Sequence, residues 1–219
     1  MTGGRGVSRL IRGVGAVALV VACAAGARAD ESGDVDDTPN GVFLVAKRHL
    51  ADPNFRETVV LVTQHGGGGP VGVIINRPTR LLLRSVFPEN DRLADSPEPV
   101  YFGGPVSPQL LVYAFRANDR PEGALTVLPG LHLSFNPTLL AELLHRANPT
   151  SAIRVFAGYS GWGPGQLQHE VARGDWYMVR ADAETVFSKD PGNIWGEMLR
   201  RATAKQAIAP ARNRALAAR

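Results

Sequence analysis

Residues 158–170 read Gly158-Tyr159-Ser160-Gly161-Trp162-Gly163-Pro164-Gly165-Gln166-Leu167-Gln168-His169-Glu170. Four glycines, a proline and two large aromatics in so short a span make a tightly shaped turn. The apolar, β-branched run Ile153–Ala157 enters it as a strand. Leu167–Ala172 leaves it as a short helix stopped near Gly174, and Trp176–Val179 follows as another strand. Strand, shaped turn, helix and strand in close succession point to a mixed fold.

Upstream of this stretch the same mixture continues. Val42–Ala46, Thr58–Thr63 and Val71–Ile75 have strand composition, the last two joined across the turn Gly66–Pro70. Residues 80–87 carry Leu81, Leu82, Val86 and Phe87 at helix-compatible spacing. Pro99–Phe102 and Leu110–Phe115 read as strands around Gly103-Gly104-Pro105. Asn136 as N-cap, Pro137 at the first helical position and the stripe Leu139, Leu140, Leu143, Leu144 predict a helix. Downstream, Asp182 caps a short helix to Phe187, and Ile194–Arg201 forms a last one. Strands and helices mix without regular βαβ alternation, so the class is α+β.

The first residues concern location. Arg5, Arg9 and Arg12 precede the apolar run Gly13–Ala22, and Ala27-Arg28-Ala29 has the A-x-A form of a cleavage site. That order of charge, apolar core and small residues reads as a secretory leader over 1–29, with an apolar run shorter than the roughly 20 residues a membrane span needs. Leu19–Cys23 has a competing form, that of a lipoprotein leader ending before Cys23, with lipidation at that cysteine. An exported, periplasmic or otherwise extracytoplasmic protein is expected, either released after Ala29 or anchored to a membrane through Cys23.

Four of the 24 basic residues and none of the 20 acids precede Asp30, so the remainder is formally neutral. Its charge is polarised: residues 30–37 hold five acids and no base, and six bases and no acid follow Glu197. This does not form the clustered basic face of a nucleic-acid binder. Cys23 is the sole cysteine, which excludes thiol catalysis, cysteine-based zinc sites and iron–sulfur clusters from the body of the protein. The organisation expected is a leader over 1–29, an acidic linker over 30–40, one domain over 41–204 and a basic disordered tail over 205–219.

Several motifs, in order, carry a family resemblance: Asp52-Pro53-Asn54-Phe55, Thr58-Val59-Val60-Leu61, Gly72-Val73-Ile74-Ile75-Asn76-Arg77-Pro78, Gly103-Gly104-Pro105-Val106, the 158–170 segment and Trp176. Together they resemble the YqgE/AlgH family of bacterial proteins over about residues 41–200. The resemblance implies one α+β domain with a strongly bent or partly closed, mainly antiparallel sheet flanked by helices. It implies no particular reaction. The chain departs from the family pattern in its export signal, in Gln168 where an acid is expected, and in the glycine run 66–69.

Catalytic motifs are incomplete. Gly158-Tyr159-Ser160-Gly161-Trp162 has Trp162 where a nucleophile elbow ends in glycine. No acid lies between Ser160 and His169, the one histidine after it, so the hydrolase order fails. A non-standard triad through His65 or His132 stays open. The five histidines show no i, i+4 pair and no HExxH, so neither a metal nor a cofactor is expected. The main reading is therefore a non-catalytic binding or regulatory module. Asn76, Gly103, Gly104, Tyr159, Trp162, Gln166 and Glu170 form its candidate site, as a concave surface with an aromatic wall. Its partner would be a protein or a small-molecule ligand, with no nucleic acid, and membrane association only through the lipid anchor. The alternative is a hydrolase using Ser160 or Glu170.

Overall fold

The computed structural model describes residues 40–64, 69–187 and 189–216, without the side chains of 205–216. The leader, Cys23, the acidic stretch up to residue 39, His65 and Gly66 to Gly68 lie outside the described residues. Ten strands form one sheet: β1 Val42–Ala46, β2 Val59–Gln64, β3 Pro70–Ile74, β4 Pro78–Leu82, β5 Pro99–Phe102, β6 Val106–Arg116, β7 Ala124–Leu128, β8 Leu131–Ser134, β9 Ile153–Gly161 and β10 Trp176–Arg180. The helices are α1 Leu83–Val86, α2 Pro137–Leu144, α3 Gln166–Arg173, α4 Ala183–Phe187 and α5 Pro191–Leu216. The main strand order is β10-β1-β2-β3-β9-β6-β8-β7, with β5 against β9 and β4 beyond it. The pairings are antiparallel except β5 with β9. The sheet curls into a half-barrel, so the α+β class and the partly closed, mainly antiparallel sheet are both observed.

The strands β1 and β2 are apolar at almost every position because both their faces are covered. Inside the curl, Phe43, Val45, Val59 and Leu61 pack with Val112, Phe156, Leu133 and the α5 residues Ile194 and Met198. Outside it, Leu44, Val60 and Ile74 pack with Trp162, Leu167 and Trp176 under α3. A third cluster seats Leu140, Leu143 and Leu144 of α2 on Tyr113, Phe115 and Val155. The cap of α2 forms as the sequence dictates: Asn136 Oδ1 accepts from the Thr138 and Leu139 amides at 2.9 and 3.4 Å.

The helix expected over 80–87 is corrected. β4 runs to Leu82 and only Leu83–Val86 is helical. Pairing with β5 holds the backbone extended, the Thr79 hydroxyl bonds to the Val100 carbonyl at 2.6 Å, and Pro88 bars continuation. Leu81 is consequently 48% exposed. The β7–β8 hairpin, turning at Pro129-Gly130 with Gly130 at φ +80°, was not among the expected strands. The backbone of α5 continues to Leu216.

Candidate functional site

The segment 158–170 begins inside β9, where the connection from β5 to β6 crosses it. A Cβ on Gly103 would lie 2.2 Å from the Gly158 carbonyl oxygen, and one on Gly158 would lie 2.6 Å from that of Gly104. Gly158 also has φ +70°, a conformation glycine adopts without strain. The Gly103 amide donates to Ala157 O and its carbonyl accepts from Ile74 N, both at 2.9 Å. These glycines let two segments of the chain cross backbone to backbone.

Beyond the crossing, the segment closes on Glu170. Its Oε2 accepts the indole N–H of Trp162 and that of Trp176, each at 2.9 Å. Its Oε1 accepts from the Gln166 amide nitrogen at 3.0 Å, while Gln166 Oε1 caps Gly163 N at 3.1 Å. Trp162 and Trp176 are 5% and 4% exposed. One carboxylate therefore ties the turn, α3 and β10 together. The indole of Trp162, read from the sequence as a flat recognition face, lies inside the protein, because its ring fills the outer core and its one donor finds the partly buried Glu170 carboxylate.

The other candidates have equally local partners. Asn76 accepts from Val59 N at 2.8 Å and donates to Glu57 O at 2.9 Å, closing the loop between β1 and β2. Tyr159 packs edge-on against Phe135, with centroids 5.6 Å apart. Gly104 abuts the Tyr159 carbonyl. The stretches around Asn76, Gly103 and Gly158 thus meet through backbone contact. Ser160 is 1% exposed and its hydroxyl donates to Gly103 O at 3.3 Å. His132, a candidate partner for it, instead contacts Ala117 O at 3.1 Å and Thr126 Oγ1 at 3.4 Å. Among the described residues no group of three or more His, Cys, Asp or Glu is placed to hold a metal.

An open groove lies elsewhere, between the two end strands of the curled sheet. It has a volume of about 740 Å³ and is walled by Met178 to Ala181 on one side and Thr126 to Pro129 on the other. The ladder fixes what β10 offers to it. Ala181 N bonds to Gly41 O at 2.8 Å and Lys47 N to Asp175 O at 2.9 Å. Alternation then turns Asp175, Tyr177, Val179 and Ala181 toward β1, and the N–H and C=O of Trp176, Met178 and Arg180 away from it. No strand pairs with β10 on that side among the described residues. Met178 is 37% exposed. Opposite, β7 is pinned near the start of β1, its Thr126 carbonyl accepting from the Thr63 hydroxyl at 3.1 Å.

At the end of β10, Asp182 caps α4 through Thr185 N at 2.7 Å and binds Arg201 at 2.9 Å. Burial pushes its carboxyl up, but the bonds from Thr185 and Arg201 together outweigh that and hold it below the ordinary aspartate value. The sequence reading missed this groove. Its one local signal is Met178 and Arg180 alternating with Tyr177 and Val179, which a strand interior to the sheet could equally show.

A family model described as AlgH-like matches residues 43–207. A UPF0301 protein of Mycobacterium avium is 34% identical over 173 residues, 74% of this chain and 81% of the relative. A UPF0301 protein of Mycobacterium tuberculosis shares the same identity and coverage. The crystal structure of a Corynebacterium diphtheriae protein superposes with a TM-score of 0.63 at 25% identity, covering 74% of this chain and 87% of the other. The solution structure of AlgH from Pseudomonas aeruginosa gives 0.58 at 29% identity, covering 75% and 86%.

Proposed function

The chain belongs to the AlgH-like family, and on that footing we propose that it is a non-catalytic binding module taking an extended segment of a partner protein along the free edge of β10. The observation that supports this reading is the pair of outward backbone positions Met178 and Arg180 lining the groove. Unpaired edge groups are a template for an added strand. The groove's volume lies within the roughly 300–1,000 Å³ usual for ligand sites. The hydrolase alternative is disfavoured because Ser160 and Glu170 are both committed to structural hydrogen bonds. The role of segment 158–170 in this proposal is architectural: it packs under the β5–β6 connection and anchors β10 through Glu170.

The test uses peptides selected from a displayed random library, with affinity read by fluorescence anisotropy and the site by amide hydrogen exchange. Bound peptide is expected to protect the Met178 and Arg180 amides. Met178→Pro removes an outward donor and no bond to β1, so it should keep the fold and lose binding at least tenfold. Peptides that bind Met178→Pro as well as wild type, or that protect a different surface, refute the proposal. The leader pattern of residues 1–29 extends the proposal to a location outside the cytoplasm. The mass of the mature N-terminus distinguishes release after Ala29 from lipidation at Cys23, and full-length protein confined to the cytoplasm overturns both.

A further inference from the structure

A second cavity lies at the opposite end of β10, between the turn after β1 and α5. It has a volume of about 250 Å³, and its lining includes Lys47, Arg48, His49, Tyr177 and Arg200. We propose that it binds the phosphate group of an anionic ligand.

The argument rests on how the cations are held. Lys47 Nζ sits 4.6 Å from the centroid of the Tyr177 ring, and the Arg48 guanidinium sits 5.6 Å from that of Trp195. Trp195 is itself fixed by its indole N–H, which donates to Ala46 O at 2.8 Å. Aromatic faces orient a cation without neutralising it. The acids nearby have other partners: Asp175 binds Arg173, Glu197 binds Lys189, Asp182 binds Arg201, and Glu170 binds the two indoles. Among the described residues, Lys47, Arg48, His49 and Arg200 make no salt bridge. Three positive side chains and an imidazole therefore line one cleft whose lining holds no acid.

A phosphate suits that set. Guanidinium forks match its oxygens in pairs, and lysine adds a point charge. The cavity is smaller than the roughly 300 Å³ at which sites for whole drug-sized ligands begin. It takes a phosphate or diphosphate head, and the rest of the ligand lies outside. The cleft is distinct from the groove, so its test does not depend on peptide binding.

Pyrophosphate is titrated into the full-length chain at constant ionic strength, with backbone and side-chain resonances followed by NMR. In parallel, flotation is measured with vesicles of phosphatidylglycerol and phosphatidylcholine. Saturable shifts at Lys47, Arg48 and Arg200 are expected. Arg48→Gln with Arg200→Gln, both exposed positions, should weaken binding at least tenfold. Arg212→Gln with Arg214→Gln, in the distal part of α5, should leave it unchanged. Saturation by pyrophosphate alone assigns a soluble phosphate ligand; cleft-dependent flotation assigns a lipid headgroup. Absence of both responses overturns the proposal. So does a response that sodium chloride reproduces, or one that survives the cleft double variant and falls with the α5 pair.

Discussion

Replacing Glu170 by alanine separates an architectural role for segment 158–170 from a chemical one. The substitution leaves the indole N–H groups of Trp162 and Trp176, both nearly fully buried, without their shared acceptor. An unsatisfied buried donor costs about 1–3 kcal/mol, so two cost about 2–6 kcal/mol. Glu170 itself is only partly buried, so water can enter the space it vacates, which favours the lower half of that range. For a domain of this size about 1 kcal/mol shifts the melting temperature by roughly 2–4 °C, giving an expected fall of about 5–15 °C. Glu170→Gln keeps a carbonyl acceptor and should lose about half as much. Thermal unfolding followed by circular dichroism measures both, and near-UV dichroism reports whether the two indoles keep their setting. A Glu170→Ala protein that melts within about 2 °C of wild type with unchanged near-UV signal refutes the clamp. Removing a carboxylate kept for function commonly leaves stability unchanged or raised, so the sign of the effect is itself informative.

Two further outcomes follow from the geometry. Gly103→Ala sets a Cβ 2.2 Å from the Gly158 carbonyl oxygen, a backbone atom that cannot swing aside, and should lower the melting temperature by at least 10 °C or abolish folding. Gly163→Ala, whose Cβ would meet Gln166 Oε1 at 3.8 Å, should stay within about 2 °C of wild type, and equal effects would refute the crossing argument. The folded Asp182 carboxyl titrates below its unfolded value, so its contribution to stability is fully present above the unfolded pKa of about 3.9 and is lost as pH falls through the lower folded value. The stability gap between wild type and Asp182→Asn, read by urea unfolding, should therefore be constant from about pH 5 upward and shrink below about pH 4. A gap that widens in acid contradicts the sign.

How much of this was legible in the sequence differs from residue to residue. The runs Val42–Ala46 and Thr58–Thr63 named themselves as strands because β-branched side chains suit a pleated surface buried on both faces. Asn136-Pro137 marked a helix start because capping is a contact between near neighbours in sequence. The segment 80–87 misled because its local spacing suits a helix, whereas pairing with β5 decides its conformation. In the candidate site, Gly103 and Gly158 mark a contact between two distant backbone segments, which no local pattern reveals. Trp162 was read as part of an aromatic wall, since an indole beside glycines suits surface or core equally. Its bond to Glu170 spans a turn and a helix, and the companion bond from Trp176 comes from β10, so no single periodicity connects the three.

The sequence by itself determined the mixed class, most strands and caps, the family and the absence of cysteine chemistry after residue 23. These depend on side-chain shape, backbone preference and residue identity, which act within a few positions of the chain. The tertiary structure alone decided that β10 is an end strand, that Ser160 and Glu170 are occupied, and that Lys47, Arg48 and Arg200 share a cleft. Each of these depends on which distant segments the curl of the sheet brings together. Hydrogen-bond satisfaction and uncompensated charge are properties of that neighbourhood, not of any stretch of sequence.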